Sequence, residues 1–323
     1  MIKIAPLLAP ALVLALTGCS LAPQYQRPEM ELPQAWDATS SIAIQTRWWE
    51  RFHDDTLNAL VEEALANNRN IAQAMASVRQ AQAALGMARD ALLPVPSAAA
   101  NGARTIARDA SSPTALQHGG RNTNAFSGSL SASWTLDFWG KYWNASESAR
   151  ASLVATEAAR DNVILTVAAS TVESWFWLSA YTWQEEIAES VLKNREDSLV
   201  LYQNRFDNGQ ISEYDLLSIR ANVETARNAL ASARIAKNAA ETSLAVLLVR
   251  SPAEIMKKNN LKAPSSLMTS LPTTPALPSD LPSRLLEQRP DIRQAEANLQ
   301  AANFDIGVAR AEFFPSFSLT GLL

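Results

Sequence analysis

The sequence contains few of the residues from which enzyme active sites are built. Its 323 residues include one cysteine, Cys19, and two histidines, His53 and His118, which have no metal-binding partners at the usual spacing. No glycine-rich phosphate-binding pattern is present. Lys and Arg number 28 against 32 Asp and Glu, so no basic surplus favours nucleic acid. These absences argue against an enzyme, a resident cofactor, a metal site and a nucleic-acid-binding protein.

Long apolar segments are also scarce. Beyond residue 18 the sequence has no run of about twenty apolar residues, so no transmembrane helix is expected. The single cysteine excludes an internal disulfide. If the chain crosses a bilayer, it must do so as part of a closed β-barrel, because backbone polar groups in lipid need internal partners.

Residues 125–138 have the pattern of such a membrane strand. Even positions carry apolar or small residues and odd positions carry mostly hydroxyls, so the two classes fall on opposite faces. The alternation lasts for about fourteen residues, whereas a tilted strand crosses a membrane in roughly nine to eleven. The alternative is an edge strand of a soluble sheet. The hydroxyl face comprises Ser127, Ser129, Ser131, Ser133 and Thr135.

Two further segments precede this strand. Apolar residues at helical spacing predict a helix over 54–93, which two prolines stop. A weaker strand is predicted at 95–107, and a loop of the length found in barrels joins it to 125–138. The two strands therefore form a predicted hairpin. Trp48 and Trp49, before the helix, are interpreted as a packing anchor.

Residues 141–249 predict a long helical hairpin. There is no Gly or Pro between Lys141 and Asn208, and at about 1.5 Å per residue this stretch would form a rod of roughly 100 Å. Gly209 interrupts the rod, and a second helix follows. Apolar residues seven apart give that helix the seam of a left-handed coiled coil, with Lys237 as the polar exception. The seam contains Leu216, Ile219, Val223, Ala226, Leu230, Ala233, Lys237, Ala240, Leu244 and Leu247.

The end of the sequence repeats its first helix. After a linker at 252–282, residues 286–315 match 65–94 at a constant offset, with about a third of the positions identical. This second repeat, 283–323, stops where its first strand should begin. We therefore expect a truncated form of a chain about 150 residues longer, and we expect the truncated form to be inactive.

The N-terminus has the features of a bacterial lipoprotein. In residues 1–18, Lys3 precedes an apolar run too short to span a bilayer, as in a signal peptide. The sequence Leu-Thr-Gly-Cys that ends at Cys19 resembles a lipobox, which implies a covalent lipid such as palmitate on that cysteine. An ordinary secretory signal with an incidental cysteine is the alternative. Ser20, in place of Asp, implies sorting to the outer membrane, and residues 19–53 would form a lipid-anchored strap.

Together these motifs resemble the TolC/OprM-type outer-membrane efflux factors, in the lipidated branch often called NodT-like. They are the lipobox, Trp48-Trp49 with Phe52, Asn67 to Ile71, Asp137-Phe138-Trp139-Gly140, Asp207 to Leu216, Gln288 to Arg293, and Phe313-Phe314-Pro315. The resemblance covers the chain from Cys19 and departs from the family pattern only at the C-terminus. It implies a mixed α and membrane-β fold, with two barrel strands and a long coiled-coil hairpin in each repeat.

The resemblance also implies an assembly and a function. Family members form a homotrimer whose twelve-stranded barrel, with four strands from each subunit, continues into the periplasm as helices. Such a channel is the passive outer-membrane exit duct of a tripartite pump, with a periplasmic adaptor protein and an inner-membrane RND-type transporter as partners. The hydroxyl face of 125–138 would line the lumen. The turn at Gly209, with Ser212 and Asp215, resembles the tip where the adaptor docks.

Two other functions remain open from the sequence. A channel for type I protein secretion would share all of these features, and a periplasmic coiled-coil lipoprotein without a pore would share the anchor and the helices. The transported compounds depend largely on the partner pump. The resemblance provides no gate residues, because in this family they lie mostly in the second hairpin, beyond the sequence.

Overall fold

The computed structural model describes residues 20–28, 47–107, 121–251 and 288–322. The predicted signal peptide, Cys19, most of the strap, the loop before the second strand and the linker lie outside these ranges. Residues Trp48–Phe52 form a 3₁₀ turn. The helices and strands that follow are α1 (Asp55–Asn67), α2 (Arg69–Asp90), β1 (Val95–Ala107), β2 (Arg121–Leu136), α3 (Lys141–Asp207), α4 (Glu213–Leu247), α5 (Pro290–Ala311) and β3 (Phe317–Leu322).

The chain divides into two compact units. The sheet unit contains the three strands together with the described residues of 1–29, 78–157 and 294–323. The helical unit contains the described residues of 30–77 and 158–293.

The sheet unit is built on three antiparallel strands in the order β1-β2-β3. β1 begins and ends at the expected residues and pairs with β2 along its whole length. β2 begins at Arg121, earlier than predicted, because the ladder with β1 continues beyond the alternating stretch. It ends at Leu136, also early, since the chain turns there and Gly140 has a φ of 69°. β3 pairs with the other edge of β2.

The first predicted helix, 54–93, is two helices, so the prediction of a continuous helix was wrong. Asn68 adopts an extended conformation between them, with φ −61° and ψ 130°. Its Oδ1 accepts a hydrogen bond from the backbone N–H of Asn70 at 2.9 Å, and its Nδ2 donates to the carbonyl of Leu247 at 3.1 Å. An asparagine side chain that pairs with a nearby backbone N–H competes with the helix and caps the next one.

The helical unit has a hydrophobic core with Trp175 fully buried in it. The Trp175 Nε1 donates to Asp54 Oδ2 at 2.9 Å, while Asp54 Oδ1 accepts the backbone N–H groups at the start of α1. One carboxylate therefore caps a helix and satisfies a buried indole. Trp49 is buried in the same core and Trp48 packs against it, which confirms the packing role of the pair. The core also contains Leu57, Leu60, Val61, Ala64, Ile71, Val167, Ala168, Val172, Leu178, Leu244 and Leu248.

α3 and α4 form the expected antiparallel hairpin. Three arginines of α4, spaced seven residues apart, contact α3 residues of steadily decreasing number. Arg220 donates to Gln203 at 2.8 Å, Arg227 to Glu196 at 3.2 Å and Arg234 to Glu189 at 2.6 Å. All ten seam residues are buried or half-buried, which confirms the heptad prediction.

An ion pair explains the polar exception in the seam. Lys237 Nζ lies 3.0 Å from Glu185 Oε2, and Arg234 Nε lies 3.0 Å from Glu185 Oε1. The Glu185 side chain is only 17% exposed. Burial alone raises the pKa of Glu185, but the hydrogen bonds from Lys237 and Arg234 outweigh it and hold the pKa below its ordinary value.

This arrangement predicts a pH-dependent contribution to stability. Because the pKa of Glu185 is lower in the folded state, its pairing stabilises the hairpin above the ordinary carboxyl pKa and is lost as pH falls through the folded value. We expect Glu185→Gln to lower the free energy of unfolding at pH 7 by about 1.5–3 kcal/mol, the range for hydrogen bonds to charged groups. The difference should shrink as pH falls through the folded pKa of Glu185. Urea unfolding at a series of acidic pH values, followed by helical circular dichroism, checks this, and a difference that does not change with pH would contradict it.

α2 and α5 are equivalent helices of the two repeats. Both have 22 residues, and their first and last residues correspond at the offset found in the sequence, which confirms the duplication. They nevertheless bury different sides. α2 buries Ile71, Val78 and Leu85, whereas α5 buries Ala297, Ala301, Gly307 and Ala311.

No apolar stretch long enough for a membrane helix was expected from the sequence. By length and composition alone, α3 contradicts that expectation. Among the described residues, α3 contains a stretch of 18 residues that is apolar enough to cross a membrane by length and composition alone. Core helices of soluble proteins pass the same test, and α3 places Val167, Val172 and Trp175 in the helical core. The stretch is therefore weak support for a membrane-spanning helix.

Candidate conduction sheet and hairpin tip

Between residues 127 and 135 of β2, the antiparallel pairing places the hydroxyl side chains and the polar residues opposite them on one face of the sheet, whereas Arg104 and Asn124 pair on the other face. Residues directly opposite each other in an antiparallel pair share a face. The opposing pairs are Ser127 with Asn101, Ser129 with Ala99, Ser131 with Ser97 and Leu322, Ser133 with Val95 and Thr320, and Thr135 with Ser318. The Oγ atoms of Ser97 and Ser131 are hydrogen-bonded at 2.6 Å. All five predicted hydroxyl residues therefore lie on one uncharged, mainly polar face.

The other face carries large apolar side chains that the single chain leaves exposed. Phe126 is 85% exposed, Leu130 61% and Leu319 62%. Trp134, Leu136 and Phe317 belong to the same face by their pairing. An exposed apolar patch of this kind indicates contact with another molecule or with a membrane. This face argues against an edge strand of a soluble sheet, in which one side would be covered by the protein core.

The turn after β2 packs against the turn before β3, and we call this contact the strand–helix corner. The Trp139 ring stacks on Phe314 with centroids 4.5 Å apart, and its Nε1 donates to the carbonyl of Pro315 at 3.0 Å. Lys141 Nζ pairs with Glu312 Oε1 at 3.0 Å. The corner thus joins residues of the first repeat to residues of the second.

A Schellman motif ends α3 at the tip of the hairpin. The N–H of Gly209 donates to the Phe206 carbonyl at 2.8 Å, and the N–H of Gln210 donates to the Arg205 carbonyl at 2.9 Å. Gly209 has a φ of 73°, and a Cβ at this position would meet open space. The glycine is therefore required for its backbone conformation and not for lack of room.

Ser212 and Asp215 form a capping box at the start of α4. The Ser212 Oγ accepts the Asp215 N–H at 3.2 Å, and Asp215 Oδ2 accepts the Ser212 hydroxyl at 2.6 Å and its N–H at 3.2 Å. These hydrogen bonds from Ser212 lower the pKa of Asp215, so the tip keeps an ionised carboxylate at neutral pH.

The predicted site residues thus form two surfaces. The structure brings the five hydroxyl residues together on the sheet and brings Gly209, Ser212 and Asp215 together within one turn. Cys19 lies outside the described residues, so its acylation stays a prediction. In the described part of the chain, no group of three His, Cys, Asp or Glu side chains could hold a metal ion.

Other residues that join distant parts of the chain were not identified from the sequence. Asn144, Glu296 and Gly307 hold the segment that begins at Ser20. Their partners lie more than 100 residues away in sequence, and no periodic pattern marks them. One indication of these residues was present in the sequence: Gly307 matches Gly86 in the alignment of the two repeats.

A comparison with protein families identifies the fold. The profile described as "Outer membrane efflux protein" matches residues 60–249 and 281–323, which is most of the chain. The chain belongs to this family.

Individual members of the outer membrane efflux protein family support the assignment. "Cation efflux system protein CusC" of Escherichia coli is 33% identical over 314 residues, which cover 95% of this chain and 65% of CusC. "Probable outer membrane lipoprotein SilC" of Salmonella typhimurium is 32% identical over 330 residues, covering 97% and 67%. The crystal structure of the Campylobacter jejuni CmeC outer membrane channel superposes with a TM-score of 0.81 at 28% identity, covering 94% and 65%. The chain therefore has the fold of these channels and spans 65% of the length of CusC.

Proposed function

We propose that the chain is the outer-membrane channel component of a tripartite efflux pump, a passive exit duct for drugs or other small toxic compounds. The observation that carries the proposal is the sheet, with hydroxyls on one face and exposed apolar side chains on the other. A barrel wall between lipid and a water-filled lumen requires this division. Conduction makes and breaks no bond, so the proposed function needs no catalytic residue.

The sheet also supports an assembly of several copies. Membrane barrels need at least about eight strands, so three strands cannot close one. In the sheet as described, the outer edges of β1 and β3 have no strand partner. Unpaired strand edges in lipid are costly, and pairing with strands of other subunits removes the cost. We therefore propose a homotrimer with a twelve-stranded barrel, in which each subunit contributes two strands from each repeat: β1 and β2 from the first repeat, and β3 and a counterpart of β2 from the second.

The hairpin tip supports docking of a periplasmic adaptor, which would connect the channel to an inner-membrane RND-type transporter. The Schellman motif and the capping box fix the backbone of the tip. Tyr214 and Leu217, beside the capping box, are nevertheless 81% and 52% exposed. Exposed aromatic and aliphatic side chains on a fixed backbone suit a protein–protein contact. CusC is named as part of a cation efflux system, and the compounds that pass through this chain depend on its own pump.

A lipid on Cys19 is the last part of the proposal. SilC is described as a probable outer membrane lipoprotein, and it aligns with nearly the whole of this chain. A lipid anchors a protein to a membrane without spanning it, so the anchor would supplement the sheet.

One preparation tests the function. The protein expressed from its own gene and extracted from the outer membrane should migrate as an oligomer that dissociates on heating, and it should conduct ions in planar bilayers. A coiled-coil lipoprotein without a pore would do neither. Mass spectrometry of the N-terminal peptide of the same preparation should show the acyl groups on Cys19. A heat-sensitive trimer that never conducts would contradict the proposed channel.

A further inference from the structure

The first described segment, Ser20–Pro28, lies along α5 in the sheet unit, and we call it the docked strap. The Asn303 Nδ2 donates to the carbonyl of Pro23 at 2.7 Å, and the Arg310 guanidinium donates to the carbonyl of Leu21 at 3.1 Å. Two side chains of α5 thus bind the backbone of the strap. Backbone carbonyls are present in every sequence, so these contacts fix the path of the strap and not the identity of its side chains.

The strap also contacts α3. The Ser20 hydroxyl donates to Asn144 Oδ1 at 2.7 Å, and Asn144 is fully buried in the first turn of α3. A buried amide oxygen needs a hydrogen-bond donor, and Ser20 provides it. The strap therefore joins a helix of the first repeat to a helix of the second.

Gly307 of α5 provides the space in which the strap lies. A Cβ at this position would come within 2.8 Å of the Ala22 Cβ, 2.9 Å of the Ala22 Cα and 2.6 Å of the Asn144 Nδ2. Two of these atoms belong to the strap, and one of them is backbone. Any residue larger than glycine would have to displace the strap or Asn144, because packed atoms do not approach this closely.

The equivalent glycine of the first repeat provides an internal comparison. Gly86 occupies the matching position of α2, and a Cβ there would meet nothing within 4 Å. The same residue at the same repeat position is thus crowded in α5 and open in α2. The difference arises from the docked strap and Asn144, since among the described residues nothing lies within 4 Å of a Cβ at Gly86.

An ion pair holds the far end of the strap. Arg27 donates through Nε and Nη2 to the two carboxylate oxygens of Glu296, at 2.9 and 2.6 Å. The Tyr25 hydroxyl also donates to Glu296, at 3.3 Å. The hydrogen bond from Arg27 lowers the pKa of Glu296, although partial burial opposes the shift. The strap is therefore bound at its start, its middle and its end.

Directly after α5 the chain passes through the strand–helix corner into β3. The described pairing of β3 with β2 runs from Phe317 to Leu322 and begins only a few residues after α5. The position of α5 therefore bears directly on the register of β3, and a one-residue slip would exchange the polar and apolar faces.

We propose that the docked strap is a positioning element, which lies over Gly307, holds α5 against the start of α3 and thereby keeps β3 in register with β2. The docked strap would act on the position of α5 and the register of β3, and this role does not depend on whether the protein conducts. The sequence of the strap is on the N-terminal side of everything that it positions, so it is synthesised before the helices that it joins.

Matched glycine substitutions test the proposal in the protein expressed from its own gene. In Gly307→Ala we expect chymotrypsin to cleave after Tyr25 at least tenfold faster than in the wild type, because the strap leaves α5. Hydrogen exchange of a peptide covering β3 should accelerate in the same variant. Gly86→Ala should change neither rate, since its methyl group enters open space.

Each outcome supports or overturns the proposed positioning role of the docked strap. Unchanged cleavage in Gly307→Ala would overturn the strap's dependence on this glycine, and faster cleavage with unchanged β3 exchange would overturn the positioning role. Equal acceleration in Gly86→Ala would show a general effect of helix substitution and would also overturn it. If Gly307→Ala fails to accumulate, Asn303→Ala replaces it, because this change removes a hydrogen bond without adding atoms. That variant should increase cleavage several-fold, and wild-type cleavage in it would contradict the proposal.

Discussion

Replacing Gly209 by Val should abolish efflux and leave the protein in the outer membrane at its normal level. Gly209 has a φ of 73°, and a β-branched residue in this left-handed conformation costs about 1–2 kcal/mol. The strain would open the Schellman motif and displace the capping box of Ser212 and Asp215. The sheet unit contains neither residue, so insertion should be unaffected. Sensitivity of a deletion strain to pump substrates, after complementation with the variant, measures the effect.

A matched control separates conformation from side-chain size. Asn is the residue other than glycine that best tolerates the left-handed region, so Gly209→Asn should retain most of the efflux. A Cβ at position 209 would meet nothing within 4 Å, so the two variants differ chiefly in how well their backbones tolerate the left-handed conformation. Full efflux by Gly209→Val would remove the tip from the proposed docking site, whereas equal loss in both variants would contradict the conformational explanation.

Neighbouring residues of β2 should respond in opposite ways to the same charge. Leu130 lies on the apolar face and Ser129 on the hydroxyl face. An arginine facing lipid near the middle of the bilayer costs about 2–4 kcal/mol, and a trimer would bear this cost three times. We expect Leu130→Arg to abolish the heat-sensitive oligomer and remove the protein from the outer membrane.

Ser129→Arg is the control for this substitution. Its charge would lie in the water-filled lumen, where substitutions alter selectivity with little effect on stability. The variant should therefore assemble normally and shift the ion selectivity of the channel towards anions, which reversal potentials in planar bilayers would measure. Normal assembly of Leu130→Arg together with loss of Ser129→Arg would reverse the assignment of the two faces.

Much of the fold could be predicted because it depends on patterns within short stretches of sequence. The absence of Gly and Pro from α3 predicted its length, and the heptad of α4 predicted which side is buried. Gly209 predicted the turn between them. The alternation in β2 predicted the two faces of the sheet, and the repeat predicted a helix in the second copy, which is α5.

The remaining features depend on contacts between distant residues. The break at Asn68 is stabilised by the carbonyl of Leu247, which lies far away in sequence, so helical periodicity alone extended the helix across it. Lys237 looked like a defect in the seam until Glu185 of α3 supplied its partner. The different roles of Gly86 and Gly307 could not be predicted either, because their sequence positions are equivalent and only the docked strap distinguishes them.

Chemical labelling of single cysteines along β2 tests most directly whether the hydroxyl face lines a pore. Each residue from 127 to 135 would be replaced by cysteine in turn, with Cys19 retained, because a thiol acylated as proposed would not react with the reagent. A charged, membrane-impermeant thiol reagent should then modify the odd positions and reduce the conductance of the proposed trimer, and it should leave the even positions unmodified. Labelling of both sets, or of the even positions alone, would show that this face does not line a water-filled channel.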